Sequence, residues 1–273
     1  MSTWKPPREK DEKESGKTPE EFLLHFVADY SLDRNLSFTE VRQALWDRGI
    51  RNVNDVSVPP FSTLAAGFIV EQLGLHSSGR RALYVNVAPR KDDRSSRNRN
   101  EGEPLVYAEL ESGVPIVATD SGEIFSFVRE SVKEMRSLEV PRGGSQFRSR
   151  DIFPEAVSRV LRREKEVLGS EIDREIPEPP GSEVAYIDGF GNLKTTVRRS
   201  EIDHEGEVTV TVSGSETRVR VADGIFGVEE GEFVLAPGSS GGEDPYMELV
   251  KRGGNAEKQL DAEIGDKIKI SEF

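Results

Sequence analysis

The sequence predicts an α/β fold in two parts. An N-terminal α/β domain with a central, mostly parallel sheet is followed by a small C-terminal all-β, barrel-like domain. Three observations predict this. Strand-like and helix-like apolar runs alternate through the first part of the chain. Pro177-Glu178-Pro179-Pro180-Gly181 can continue neither a helix nor a sheet, and so marks a boundary. Beyond it, short alternating runs are separated by Gly and Asp turns. The expected domains are residues 19–176 and 182–273.

Residues 1–18, rich in Lys, Glu, Pro and Ser, read as a flexible tail. The apolar run Phe22-Leu23-Leu24-His25-Phe26-Val27 reads as a buried strand or as a short helix begun by Thr18-Pro19-Glu20-Glu21. Ser37-Phe38-Thr39-Glu40 has the capping-box spacing and opens a helix through Leu45 or Trp46. Pro59-Pro60-Phe61-Ser62 interrupts the chain, and Thr63 to Leu73 reads as an apolar helix. Ala82 to Val87 is strand-like, and the polar run Lys91 to Glu103 after it reads as an exposed loop. Val106–Glu109 and Pro115–Thr119 add two strands, and Glu155–Arg163 a helix after a turn at Arg150-Asp151-Ile152-Phe153. Past the boundary, Val184–Ile187, Glu207–Val212, Thr217–Val221 and Lys267–Ile270 form the β-rich part.

Composition removes several function classes. A net charge of -13 is the wrong sign for a general nucleic-acid binder. The absence of cysteine excludes disulfides, thiolate nucleophiles and cysteine-ligated zinc, and with only His25, His76 and His204 a histidine-rich metal site is not expected. No stretch approaches membrane-spanning length, and the charged N-terminus lacks an apolar signal core, so a soluble cytoplasmic protein is expected.

Tyr186-Ile187-Asp188-Gly189-Phe190-Gly191-Asn192-Leu193 is the stretch richest in chemistry. Its Asp and Asn, four residues apart around glycines, fit two roles. They can hold a sharp turn through Asx hydrogen bonds. Alternatively, the carboxylate can pair with an ammonium and the amide can read a purine edge.

This run resembles the second-domain signature of the S-adenosyl-L-methionine hydroxide adenosyltransferases, relatives of halide-using adenosyl-transferring enzymes. The resemblance implies that Asp188 holds a methionine amino group and Asn192 an adenine edge. Gly238-Ser239-Ser240-Gly241-Gly242, before Tyr246-Met247-Glu248-Leu249-Val250, resembles the family's Ser-containing loop and would put Ser240 or Ser239 near the methionine carboxylate. Gly253-Gly254-Asn255-Ala256 sits where the family has a small-residue turn against adenine. In the first part, Ala28-Asp29-Tyr30 resembles Thr-Asp-Phe, whose Asp holds the ribose hydroxyls, and this match favours the strand reading of residues 22–27. Pro59-Pro60-Phe61 resembles the segment lining the reaction centre. Thr119-Asp120-Ser121-Gly122 resembles Pro-Asp-Asn-Gly, and Phe147-Arg148-Ser149-Arg150-Asp151-Ile152-Phe153 resembles Phe-His-Gly-Arg-Asp-Ile-Phe.

The departures fall on the chemistry. The family activates water with an Asp, an Arg and a His. Its Asp corresponds to Ala88 and its His to Arg148, while its Arg falls near Arg97 or Arg99. Arginine stays protonated, so Arg148 cannot serve as a base and instead favours an anion; ion pairing of Arg148 and Arg150 with Asp151, Glu155 or acidic loops is the structural alternative. The resemblance implies S-adenosyl-L-methionine as substrate or ligand rather than as a bound cofactor. It also implies a homotrimer with sites between subunits, while charge and hydropathy lead to the expectation of no nucleic-acid or membrane partner. Three functions compete: cleavage of S-adenosyl-L-methionine to adenosine and methionine, binding of an adenosyl ligand without turnover, and a structural assembly role.

Overall fold

The computed structural model describes residues 22–31, 36–76, 80–89, 101–203, 205–239 and 241–272. The first part contains β1 (Leu23–Ala28), α1 (Ser37–Trp46), β2 (Val53–Ser57), α2 (Thr63–Leu75), β3 (Arg81–Asn86), β4 (Leu105–Leu110), β5 (Pro115–Thr119), β6 (Val132–Leu138), α3 (Arg148–Asp151), α4 (Phe153–Leu161) and β7 (Leu168–Glu171). Its strands form one seven-stranded sheet in the order β2-β1-β3-β5-β4-β6-β7.

The expectation of a mostly parallel sheet is corrected here. The pairings β2–β1, β1–β3 and β3–β5 are parallel, whereas β5–β4, β4–β6 and β6–β7 are antiparallel. For the β4–β5 pair, link length is the reason. Only Glu111 to Val114 separate β4 from β5, and Gly113 takes a φ of 78° there, so the chain has room for a hairpin but not for a crossover helix.

Helices cover both faces of the parallel half. Phe38, Val41 and Leu45 put the apolar stripe of α1 against one face, beside Phe26, Tyr84 and α4 residues Val157 and Leu161. The other face receives Ala65, Ala66 and Val70 of α2, next to Val27, Leu83 and Val85. Coverage on both sides explains why β1 is a continuous apolar run rather than an alternating one. The expected cap of α1 takes another form: the helix starts on Ser37, with Leu36 at the N-cap position making no side-chain cap.

The second part comprises β8 (Val184–Ile187), β9 (Leu193–Arg198), β10 (Gly206–Val212), β11 (Ser215–Val221), β12 (Phe233–Pro237), β13 (Tyr246–Lys251), the short helix α5 (Ala256–Leu260) and β14 (Ile268–Glu272). Their sheet runs β14-β10-β11-β12-β13-β9-β8. Its two ends meet: Glu183 bridges Lys267, and Ile268 N–H donates to the Ser182 carbonyl at 2.7 Å. The sheet therefore curls on itself around a core that includes Leu193, Val210, Leu235 and Leu249.

Helix α2 joins the two parts. It is apolar on nearly every side, as a helix packed on two surfaces must be. Its Phe68 meets Tyr246 at 5.6 Å between ring centroids and stacks on Tyr186 at 6.3 Å. One turn further, Glu71, 1% exposed, receives Arg198 Nη2 at 2.6 Å, and the same guanidinium lies 3.7 Å over the Tyr246 ring. Among the described residues no helix is long and apolar enough to cross a membrane.

Candidate functional site

Parallel strands β1 and β3 point their carboxyl ends at one edge of the first part, and the polar residues gather there. Asp29 follows β1 directly. Its Oδ2 accepts the backbone N–H of Phe61 at 3.0 Å. Phe61 holds a φ of 66°, a left-handed conformation that is uncommon for a bulky residue, and its side chain is 40% exposed. Ser62 then caps α2 by accepting from Ala65 N–H at 3.2 Å. The turn is thus held open between a carboxylate and a helix start, with an aromatic ring presented to solvent.

Next to Asp29, a hydroxyl network ties the strand ends together. Asn86 Nδ2 donates to the Tyr30 hydroxyl at 2.9 Å, and that hydroxyl lies 2.6 Å from Ser149 Oγ. Burial raises the Tyr84 phenol well above its ordinary pKa and keeps it protonated, so it donates to the Ser149 carbonyl at 3.1 Å. Thr119 and Ser121 both donate to the Val87 carbonyl at 2.7 Å, which pins the loop after β5 to the residue before Ala88. Asp120 pairs with Arg174.

Arg148 enters this region from α3. Its Nη1 donates to the Glu103 carbonyl at 3.1 Å, and its guanidinium carbon lies 4.6 Å from the centroid of the Phe153 ring. Nε and Nη2 are buried without an acceptor among the described residues. Burial lowers its pKa, but an arginine remains a cation. Of the ion pairs expected for the two arginines, the one with Asp151 is made by Arg150, through Nε–Oδ1 at 2.7 Å, and not by Arg148. Glu155 pairs with Arg48.

In the second part, Asp188 and Asn192 do come together, in a turn they build themselves. Asp188 Oδ1 accepts from the Phe190 and Asn192 amides at 2.9 and 3.0 Å, and Oδ2 accepts Asn192 Nδ2 at 3.0 Å. Gly191 allows the turn with a φ of 81°, and a Cβ there would collide with the Asn255 side chain. The turn packs on α5, whose cap Asn255 accepts from Lys258 N–H, while Glu257 N–H donates to the Gly191 carbonyl. The turn raises Phe190 to 78% exposure, the most exposed large apolar side chain among the described residues.

The Gly238–Gly242 loop lies elsewhere. Gly241 abuts Pro245, and Gly242 lies against His76 at the far end of α2 from Phe61. Ser240, Arg97 and Arg99 lie outside the described residues.

Sequence reasoning missed Tyr30, Asn86 and Ser149 as a unit. The available signal was a single polar Asn closing an otherwise apolar strand run. Phe190 was legible as an aromatic between two glycines, a position with little apolar surface to pack on.

Fold and edge together describe a two-part α/β and β-barrel-like protein, with polar residues at the carboxyl ends of parallel strands and a second polar turn beyond the linker. Comparison with known proteins finds relatives for this class. Residues 182–269 match the SAM hydroxide adenosyltransferase C-terminal domain. The (R)-S-adenosyl-L-methionine hydrolase of Methanocaldococcus jannaschii is 24% identical over 181 residues, covering 60% of this chain and 65% of that protein, just under two thirds of its length. These similarities tie the second part of the chain to the SAM hydroxide adenosyltransferase C-terminal domain, and the chain as a whole resembles that family. The fold is shared with solved structures. An uncharacterized conserved protein from Thermotoga maritima superposes with a TM-score of 0.73 at 22% identity, over 90% of this chain and 99% of that one. A conserved hypothetical protein from Thermus thermophilus superposes at 0.66 and 23% identity, over 91% and 99%.

Proposed function

We propose that this protein binds S-adenosyl-L-methionine or adenosine, with Asp29 on the ribose diol and Asp188 and Asn192 on the methionine ammonium and the adenine edge. The observation that carries the reading is Asp29 itself. It is a carboxylate at the carboxyl end of a central parallel strand, fixed through one oxygen by the Phe61 amide. A diol is well matched to such a carboxylate, because each hydroxyl donates.

Cleavage to adenosine and methionine with water as nucleophile is the slower part of this proposal. Ala88 and Arg148 supply no base, and acid–base groups typically contribute 10²–10⁴-fold, so we expect turnover at least ~100-fold below a site that has them. A complete site would use the second part of a neighbouring subunit. The geometry of α2 supports this. Its 13 residues span roughly 20 Å between the Phe61 turn and the Gly242 loop, farther apart than one nucleoside reaches. A trimer closes such a heterologous contact into a ring.

A second reading, a purely structural role for Asp188, is favoured by its three hydrogen bonds within its own turn. One titration series separates the two. Asp188→Ala should weaken S-adenosyl-L-methionine about 10-fold more than adenosine, because only the former has an ammonium to pair with the carboxylate. Equal weakening assigns Asp188 to the turn alone. No calorimetric heat and no thermal shift at millimolar concentrations of either ligand would sink the binding proposal. Chromatography for adenosine and methionine after incubation tests turnover, and light scattering with size exclusion tests the trimer.

A further inference from the structure

Arg148 and Arg150 stand two residues apart on α3 and meet different fates. Arg150 lies at the surface between Asp151 and Glu40, at 2.7 and 3.0 Å. Arg148 turns inward and forms no ion pair among the described residues. Its Nη1 is tied to a backbone carbonyl, the Phe153 ring lies beneath the guanidinium, and Nε and Nη2 are out of water with no described residue to donate to.

The two orphaned donors are not an arbitrary pair. Nε–H and Nη2–H lie along one edge of the planar guanidinium, the edge that takes two oxygens of a carboxylate or similar oxoanion side by side. A buried donor left unmade loses the hydrogen bond that water would have given it, so the arrangement is costly without an acceptor. The nearby charges that act on it are Glu103, whose own backbone carbonyl anchors Nη1, and Arg142, which adds positive potential. Held from below and anchored at Nη1, the edge is preorganised, so little side-chain entropy remains to be lost on binding.

The geometry points to an oxoanion subsite at Arg148: a carboxylate or comparably forked small oxoanion seated on Nε and Nη2. The subsite belongs to the residue that directly precedes Ser149, whose hydroxyl lies 2.6 Å from that of Tyr30 just past β1. Its position in the adenosyl site rests on the function proposed above; the anion site itself does not. A spherical halide matches this edge less well, since it has one centre for two parallel donors.

The test uses the full chain without any adenosyl compound. Thermal unfolding and calorimetry are run with formate, acetate and phosphate against chloride at matched ionic strength. At least one oxoanion should raise the melting temperature by about 5 °C more than chloride when present at 100 times its Kd. Arg148→Lys keeps a cation but loses the fork, and should bind that oxoanion at least 10-fold more weakly. Gly102→Ala, whose Cβ would collide with Nη1, should displace the guanidinium and weaken binding too; it serves if the lysine variant fails to fold. An equal response to chloride and to every oxoanion overturns the inference, as does an unchanged response in both variants. Oxoanion binding without adenosyl binding refutes the proposed function alone, and the reverse result refutes the subsite alone.

Discussion

The Asp188–Asn192 turn and the Arg148 edge are the two polar features that most invite a ligand, and they are built on opposite principles. The turn satisfies itself, since the Asp188 carboxylate accepts from two backbone amides and from Asn192 within five residues of chain. The Arg148 edge is unsatisfied: a cation drawn inward by a carbonyl 45 residues away, with two donors left over. A self-satisfied motif stabilises the fold whether or not it binds anything. An unsatisfied one lowers stability, and that cost is the physical signature of a group kept for another purpose. Sequence resemblance ranks the turn first and treats Arg148 as a loss, whereas the structure makes Arg148 the more informative residue.

The two features sit in different parts of the chain, which meet at the α2 joint, and breaking that joint should have the largest effect. Arg198→Ala leaves the buried Glu71 without its arginine, with only Gln72 Nε2 at 3.0 Å and His76 Nε2 at 3.8 Å beside it, so unfolding free energy from urea titration should fall by about 3 kcal/mol. Replacing Glu71 by Gln in the Arg198→Ala background should recover part of that loss, since a neutral amide is cheaper to bury than a charge.

The self-satisfied side of the comparison is tested by Gly191→Ala. The φ of 81° strains any side chain, and the new methyl group meets Asn255, so a loss of roughly 2 kcal/mol is expected. An unchanged urea midpoint would mean that the turn is not the rigid unit described here.

The sharpest contrast is between the two arginines. Arg150→Ala removes two surface ion pairs, with Glu40 and Asp151, and should leave the urea midpoint nearly unchanged. Arg148→Met fills similar volume without orphaned donors, so stability should stay level or rise by about 1 kcal/mol. A loss of 3 kcal/mol or more in Arg148→Met would show the residue to be structural and would cancel the contrast.

The smallest effect is a pH dependence in β1. Burial, then the nearby Arg81 charge, lowers the His25 pKa below 6.5. Below pH 6.5 the unfolded chain takes up a proton that the folded chain refuses. Stability is therefore full above that pH and declines as pH falls toward the folded value. A His25→Gln variant should show a flatter urea midpoint between pH 7 and 5. An identical slope in the two proteins would exclude His25 as the source.

The sequence by itself determined what depends on neighbours along the chain. Local pattern identified α1, α2, β3, β4 and β5, left β1 open between strand and short helix until the resemblance favoured a strand, and Pro177 to Gly181 separated the two sheets. The Asp188 turn was legible too, because an Asx turn closes within five residues and needs no distant partner. Tertiary structure decided the rest. Strands β2 and β7 carry no clear alternation and exist because a neighbour offers unpaired backbone groups. The antiparallel direction of the β4–β5 pair followed from its short link rather than from strand composition. Which of Arg148 and Arg150 turns inward was likewise unreadable, since four helical residues set no face. That choice came from Phe153 and the Glu103 carbonyl, brought to α3 only when the sheet and its covering helices assemble.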